Sequence, residues 1–494
     1  MNHRGTSRNE SKTIVRRRRA FSGVLSAAAL AGACGAGTGE EPVDAVELAV
    51  QPSPVVDARR SLAITDQPIL TAFSFQRVMN QLVATSGVSG LTATALFQEL
   101  WDTQNVSPGL DADTSSPNCS GTLNGYPYQC RQAPAEGFQA ACDPFAANSP
   151  CAYIPVGLFM RFDLAPSDGS HCGEYRVIFA KESGRFVTGT QNRNTLIFEA
   201  AMPNPHLNQG IRGCQKLVRT WAELSDVANI DTRRTKLEEI YFTGYQEFAP
   251  VISYDNFGDN VFGAGQLRTN QFVQPEEPRM WNLREFKLKK QCEPTCTLRF
   301  LPATDKVNPF GPLFDPASTH ANAAGFQEEF ATQVARLATP NAAAIAMNTS
   351  DVYNSGQSLA TSLSTETNYP VHFGVGPSDF HTAIQTKLTA LGSTLSPVEI
   401  VKRAQVQACA GCHRFSNNAD LGGGVIWPPS LGFTHVSEKD ADLETVAGVT
   451  RFKISDALVT LLLPARKQLV EDFLNEVPLP AKAPKEPIGG RVTH

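Results

Sequence analysis

Residues 396–413 read SPVEIVKRAQVQACAGCH, and this stretch decides how the carboxyl-terminal part of the chain is interpreted. Ser396 is followed by a proline and, three positions on, by Glu399, which is the pattern of a capping box at a helix start. Apolar residues at helical spacing continue from Ile400 up to Cys409. The stretch therefore predicts a short capped helix that leads directly into two cysteines and a histidine.

The last five residues of this stretch form the string C-x-x-C-H, which is the attachment site of a c-type haem. Two thiols three positions apart on a helical turn can reach the two vinyl groups on one edge of a porphyrin. The sequence therefore predicts one covalent haem c, with thioether bonds from Cys409 and Cys412 and with His413 as a ligand of its iron. The alternative is a redox-active C-x-x-C pair followed by a histidine by chance.

Residues 396–477 resemble a cytochrome c-like domain. The motif is followed by a glycine-rich loop at 421–424 and then by Trp427-Pro428-Pro429, as in small cytochromes c. The resemblance implies that the carbonyl of Pro428 or Pro429 accepts the second N–H of the haem-ligating histidine. It also allows Trp427 to pack on the porphyrin edge, and it implies an all-α fold whose last helix packs against the first.

The sixth iron ligand departs from that family. Leu463 stands before a proline, where small cytochromes c usually place a methionine, and no methionine follows the haem motif. His435 is one candidate ligand, because imidazole binds iron well and bis-histidine ligation lowers the potential. In one alternative, His435 is a loop histidine that bonds a haem propionate or the backbone. The sixth site is then either open to small molecules or filled by a histidine or lysine from elsewhere in the chain.

The amino terminus has the layout of an export signal. Four arginines at 16–19 precede a short run of small apolar residues that ends at Cys34. The residues before Cys34 resemble a bacterial lipoprotein box, which predicts a lipidated, periplasmic or outer-membrane-anchored protein of a Gram-negative bacterium. The alternative is an ordinary signal peptide that is cut near Ala33.

Composition supports a large folded body. Of the 494 residues, 41 % are hydrophobic and 18 % are charged, which is too little charge for a disordered chain. The first 33 residues hold seven Lys or Arg and one acid, which is a net charge of +6. The whole chain has a net charge of −5, so the remaining residues carry −11. An acidic body of this kind has no footprint for nucleic acid.

The fold class expected from the sequence is multidomain, with an α+β amino-terminal body and a helical middle region before the all-α haem domain. Period-2 segments at 175–180, 195–200, 266–272 and 281–288 indicate the strands. The expected divisions are a signal peptide (1–33), a flexible tether (34–60), an α+β domain (61–290), a helix-rich region (291–395), the cytochrome c-like domain (396–477) and a disordered tail (478–494).

Eight further cysteines suggest disulfides in an exported protein. Nearest-neighbour pairing is the hypothesis, among Cys119, Cys130, Cys142, Cys151, Cys172, Cys214, Cys292 and Cys296. Zinc is the alternative for Cys292 and Cys296, although no second Cys/His pair lies nearby.

These observations favour electron transfer through a single haem, with a redox partner protein and a lipid anchor to the membrane. Whether the protein is an enzyme stays open. One alternative is a peroxidase- or oxygenase-like enzyme with an open distal site, and another is a binding or structural lipoprotein that uses the haem as a redox sensor. The sequence of residues 61–395 indicates no activity of its own.

Overall fold

A computed structural model describes residues 54–102, 121–128, 142–146, 149, 151–186, 193–258, 265–272, 281–360, 365–480, 482–483 and 485–490. Pro52–His494 form one compact unit. The predicted signal peptide and Cys34 lie outside the described residues. In the described part of the chain, no helix is both long and apolar enough to cross a bilayer.

An antiparallel sheet of eight strands forms the centre of the molecule, in the order β1-β4-β5-β6-β7-β8, with β9 and β10 both paired to the far edge of β8. Its strands are β1 (Ala63–Ile64), β4 (Tyr153–Arg161), β5 (His171–Lys181), β6 (Asn194–Pro203), β7 (Gln266–Phe272), β8 (Trp281–Cys292), β9 (Cys296–Ala303) and β10 (Ser358–Leu359). The four segments predicted from alternation are confirmed as β5, β6, β7 and β8.

One face of the sheet is apolar and covered by helices. Alternate residues such as Val177, Phe179 and Phe198 pack there with Phe75 and Trp221 in the main hydrophobic core. The covering helices are α1 (Gln67–Leu70), α2 (Phe75–Ser86), α3 (Ala93–Asp102), α4 (Gln215–Glu223) and α5 (Ile230–Glu238). This face behaves as the alternating pattern predicts.

The opposite face carries buried charges. Register places Arg161 opposite Glu174, and Arg176 opposite Glu199. Arg268 is fully buried as well and binds the carboxylate of Glu285 at 2.6 Å and that of Glu199 at 3.6 Å. Buried ions of this kind are tolerated when they are paired. The charges are buried because the carboxyl-terminal segments of the chain cover this face.

A second apolar cluster includes Phe314, Phe330, Ile400 and Trp427. The helices around it are α6 (Ala323–Thr332), α7 (Val334–Leu337), α8 (Tyr369–Phe373), α9 (Asp379–Ala390) and α10 (Pro397–Gln405). The last helix, α11 (Leu463–Leu474), packs in the main core instead. Two small hairpins complete the fold, β2 (Thr122–Leu123) with β3 (Tyr126–Pro127) and β11 (Glu444–Val446) with β12 (Val449–Arg451).

The predicted multidomain fold with an all-α carboxyl-terminal domain is wrong. The β11–β12 hairpin lies within residues 396–477, and Phe452 N–H beyond it donates to the carbonyl of Thr65 at 3.0 Å. Val436 and Leu458 belong to the same core cluster as the sheet strands. The apolar residues of this region bury against the sheet rather than around a helical core of their own, so one compact unit results.

The middle region is also not purely helical, because β9 and β10 lie inside residues 291–395 and complete the sheet. The ends of the described chain are packed as well. Val56, in the predicted tether, is buried, and so is Ile488, in the predicted disordered tail. Ile488 N–H donates to the carbonyl of Ala165 at 2.9 Å, which fixes the tail to the turn after β4.

Candidate cofactor site between the sheet and residues 409–436

The C-x-x-C-H string follows a capped helix, as predicted. The capping box is present, since Ser396 Oγ accepts from Glu399 N–H and the Glu399 carboxylate accepts from Ser396 N–H. The helix α10 ends at Gln405, however, and does not run on into Cys409. A Cβ atom at Gly411 would collide with the carbonyl of Gln405, so a glycine between the cysteines lets the two segments touch.

Both cysteines of the string are fully buried free thiols. Ala410 N–H donates to Ser358 Oγ at 2.9 Å, which anchors the segment to strand β10. Cys409 packs with Leu283 on strand β8. Burial raises the pKa of the Cys409 thiol well above its ordinary value. The segment with the two cysteines is thus fixed to the β8–β10 edge of the sheet.

The ring orientation of His413 is fixed by a hydrogen bond to its Nδ1 atom. Its Nδ1 lies 2.8 Å from the carbonyl oxygen of Phe433, so Nδ1 carries the proton and donates it. Burial lowers the pKa of the imidazole to about 4, which keeps the ring neutral. A neutral imidazole whose second nitrogen is held by a carbonyl is the usual form of a metal-binding histidine.

The predicted partner of His413 is corrected. Neither Pro428 nor Pro429 accepts its proton; the carbonyl of Pro429 instead accepts from Ala457 N–H at 3.2 Å. Phe433 takes that role because its backbone adopts a positive φ of 71°. The chain therefore turns back towards His413 four residues later than the family resemblance implies.

The sheet itself helps to position this carbonyl. Asn270, on strand β7, donates from Nδ2 to the same Phe433 oxygen at 3.1 Å. The loop that contains Phe433 is held further by Arg193, which precedes strand β6. Arg193 binds the Glu438 carboxylate at 2.6 Å, the carbonyl of Gly432 at 2.9 Å and the hydroxyl of Thr434 at 3.0 Å.

His435 lies beside His413, with a distance of 4.4 Å between the ring centroids. Its Nδ1 contacts Ser455 Oγ at 2.7 Å, and its Nε2 contacts the Cys412 sulfur at 3.4 Å. Two imidazoles on opposite sides of one metal hold their nitrogens about 4 Å apart, because each metal–nitrogen bond is about 2 Å. In such a pair the ring centroids lie farther apart than the nitrogens, and farther apart than the 4.4 Å between the centroids of His413 and His435. Ligation by both histidines therefore requires His435 to move. Its role as sixth ligand stays a prediction.

A cavity with about 70 Å³ of enclosed space opens beside these two histidines. One wall is the charged face of the sheet, and the other belongs to the segment after the haem motif. The lining residues are Phe159, Arg161, Arg176, Ile178, Thr195, Ile197, Arg268, Asn270, Leu283, His413, Thr434, His435, Val436, Leu458 and Arg466.

The residues present fit a covalent haem. Two thiols outside any disulfide lie next to His413, whose Nδ1 is bonded to a carbonyl, and the cavity beside that histidine is apolar along Phe159, Ile197 and Leu458. Within the described ranges, no group of three or more His, Cys, Asp or Glu side chains is placed to hold a metal ion by itself.

Two further predicted residues lie away from the cavity. Trp427 is fully buried in the second apolar cluster, which also contains Cys412, and it does not line the cavity. Leu463 packs in the main core, and Leu458 lines the cavity instead. The sequence reasoning missed the whole sheet wall, because a charged residue on an alternating strand is ordinarily read as solvent-exposed.

The described disulfides are Cys142–Cys151, Cys172–Cys214 and Cys292–Cys296, which are nearest-neighbour pairs. The disulfide of the third pair replaces the alternative of zinc. Cys119 and Cys130 lie outside the described residues. Comparisons of the chain with protein-family models, with curated proteins and with solved structures found no significant match.

Proposed function

We propose that this protein binds one haem c covalently, through Cys409 and Cys412, with His413 as the first protein ligand of the iron. The observation that carries the proposal is the pair of free, buried thiols beside a neutral His413, whose Nδ1 is committed to the Phe433 carbonyl. The two cysteines would hold the porphyrin through thioether bonds, and the Nε2 atom of His413 would bind the iron.

We propose electron transfer as the activity. Haem iron supplies a one-electron couple between its ferric and ferrous states. The chain contributes rigidity around that couple, since His413 is fixed through Phe433, and Phe433 is fixed in turn by Asn270. Little rearrangement at the ligand favours fast electron exchange with a redox partner protein.

A second candidate function is binding and reduction of a small molecule such as peroxide. The observation that favours it is the position of His435, which lines the cavity together with Arg268 and Val436. A histidine and an arginine at the edge of an enclosed space can transfer a proton and stabilise developing negative charge.

Spectroscopy of the reduced protein distinguishes the two functions. A carrier with six-coordinate iron shows no change when carbon monoxide is added, and it is reoxidised slowly by peroxide. A shift of the Soret band on addition of carbon monoxide, with rapid turnover of peroxide in the presence of an electron donor, would replace electron transfer by the enzyme.

We also propose that the mature chain begins at a lipidated Cys34 and is exported. The support is the arginine-rich, apolar segment that ends at this cysteine. One acyl chain anchors weakly, so stable attachment needs two or more. Cys34→Ala is expected to move the protein from the membrane fraction to the soluble fraction. A soluble wild-type protein that begins at another residue would contradict lipidation but not export.

A further inference from the structure

The cavity has two chemically different ends. At one end, Cys409 packs against Leu283 on strand β8. At the other end lie Arg161 on strand β4, Arg176 on strand β5 and Arg466 on helix α11. Four strand spacings separate β4 from β8, which is about 19 Å at roughly 4.8 Å for each spacing. Leu283, which packs with Cys409, and this group of arginines therefore lie at opposite ends of the cavity.

Porphyrin chemistry has the same polarity. In haem c the thioether bonds form at the vinyl groups, and the two propionate groups leave the opposite half of the ring. Cysteines at one end of the cavity therefore direct two carboxylates towards the other end. Arginine is well suited to receive them, because its planar guanidinium binds a carboxylate through two parallel hydrogen bonds.

Donor groups remain free at the arginine end. Arg161 is buried and gives its Nε and Nη2 to Asp163, at 2.9 Å and 2.8 Å. Its Nη1 group has no acceptor within hydrogen-bond distance among the residues that the structure describes. Arg466 contacts the same Asp163 carboxylate at 3.5 Å. One carboxylate is thus shared by two guanidinium groups.

The ion pairs on this wall are unevenly shared. Arg161 and Arg466 contact the same Asp163 carboxylate, whereas Arg176 contacts both Glu174 and Glu199. Buried positive charge is costly unless an anion joins it. Carboxylates of a ligand would supply further anions beside the two arginines that share Asp163.

We infer that Arg161, Arg176 and Arg466 form a carboxylate-binding site for the propionate groups of a haem attached at Cys409 and Cys412. The inference rests on the proposed covalent haem. It gives the amino-terminal part of the chain a role, because strands β4 and β5 then complete a cofactor site whose thiols come from residues more than 200 positions later.

The charge of these arginines affects the iron. A positive charge near the iron favours the reduced state, because that state carries one positive charge less. Loss of one such charge is therefore expected to lower the reduction equilibrium constant, and each tenfold change corresponds to about 59 mV for one electron.

The test uses the full haem-loaded protein and the variants Arg161→Gln and Arg466→Gln. Arg233→Gln is the matched control, because Arg233 is equally buried and paired with Asp66 at 2.9 Å but does not line the cavity. The midpoint potential is measured by spectroelectrochemistry. The infrared carboxylate bands are measured with carbon-13-labelled propionates.

Both cavity variants are expected to lower the potential and shift the propionate bands, whereas the control changes neither. If Arg161→Gln does not fold, Arg466→Gln still tests the site, because the ion pair of Arg161 with Asp163 is kept in that variant. Unchanged potential and bands in a haem-loaded variant would overturn the carboxylate site. A wild-type protein without covalent haem would instead overturn the proposed function on which the site depends.

Discussion

Replacing Arg193 by methionine removes the cation that holds the loop with Phe433 and His435. The Arg193 guanidinium contacts the Glu438 carboxylate at 2.6 and 2.9 Å, and both side chains are almost completely buried, with 2 % and 0 % exposed. Removing one partner of a buried pair leaves an uncompensated charge and costs about 3–5 kcal/mol. We therefore expect Arg193→Met to reduce the free energy of unfolding by about that amount, measured by urea denaturation.

A neighbouring pair supplies the control. Arg185 binds Asp440 at 2.9 Å, but the two side chains are 29 % and 38 % exposed. Exposed pairs contribute about 0–1 kcal/mol, so Arg185→Met is expected to have little effect. The double variant Arg193→Met/Glu438→Leu should recover much of the loss, because it removes both buried charges. Equal effects of Arg193→Met and Arg185→Met would refute this reasoning.

Three further predictions concern other parts of the chain. Burial raises the pKa of Glu366 to about 7, so the native state holds this proton more tightly than the unfolded state. The free energy of unfolding should therefore fall as pH rises from about 4.5 to about 7. Glu366→Gln should remove up to about 3 kcal/mol of that fall, measured by urea titrations at several pH values. A fall of the same size in the variant would contradict this role of Glu366. Replacing the Cys172–Cys214 disulfide by two alanines opens a loop with a separation of 42 residues, and calorimetry should show a loss of about 4 kcal/mol; an unchanged unfolding free energy would show that the bridge does not form. His435 Nε2 contacts the Cys412 thiol, and thioether formation at Cys412 removes that thiol. We then expect His435 to bind the iron, so electron paramagnetic resonance should show low-spin ferric iron in the wild type and high-spin iron in His435→Ala. An unchanged spectrum would exclude His435 as a ligand.

The strands and the start of helix α10 were predictable because their signals are local. Alternation along Tyr175 to Ala180 identifies a strand, and the capping box at Ser396 identifies the start of a helix; both are confirmed. Local signals do not show which other part of the chain will cover a given face of a strand. Arg176 and Arg268 alternate with apolar residues, as solvent-facing side chains do, yet segments from the end of the chain cover them.

The error about the carboxyl-terminal fold has the same origin. Val436 and Leu458 form the kind of apolar pattern that a small helical domain uses for its own core. In the structure they pack against strands that lie more than 200 residues earlier. The hydrogen-bond acceptor for His413 was missed for a related reason. The positive φ of Phe433 is a backbone property that a phenylalanine side chain does not predict.

Retention of haem after denaturation tests the central claim most directly. The wild-type protein and the variant Cys409→Ser/Cys412→Ser are produced with haem-c maturation machinery, denatured, and extracted with acidified acetone. The account predicts that the wild type keeps its Soret absorbance and the mass of one haem, and that the variant loses both. A wild-type protein that is colourless, or that releases all of its haem into the acetone, would contradict covalent attachment at these cysteines.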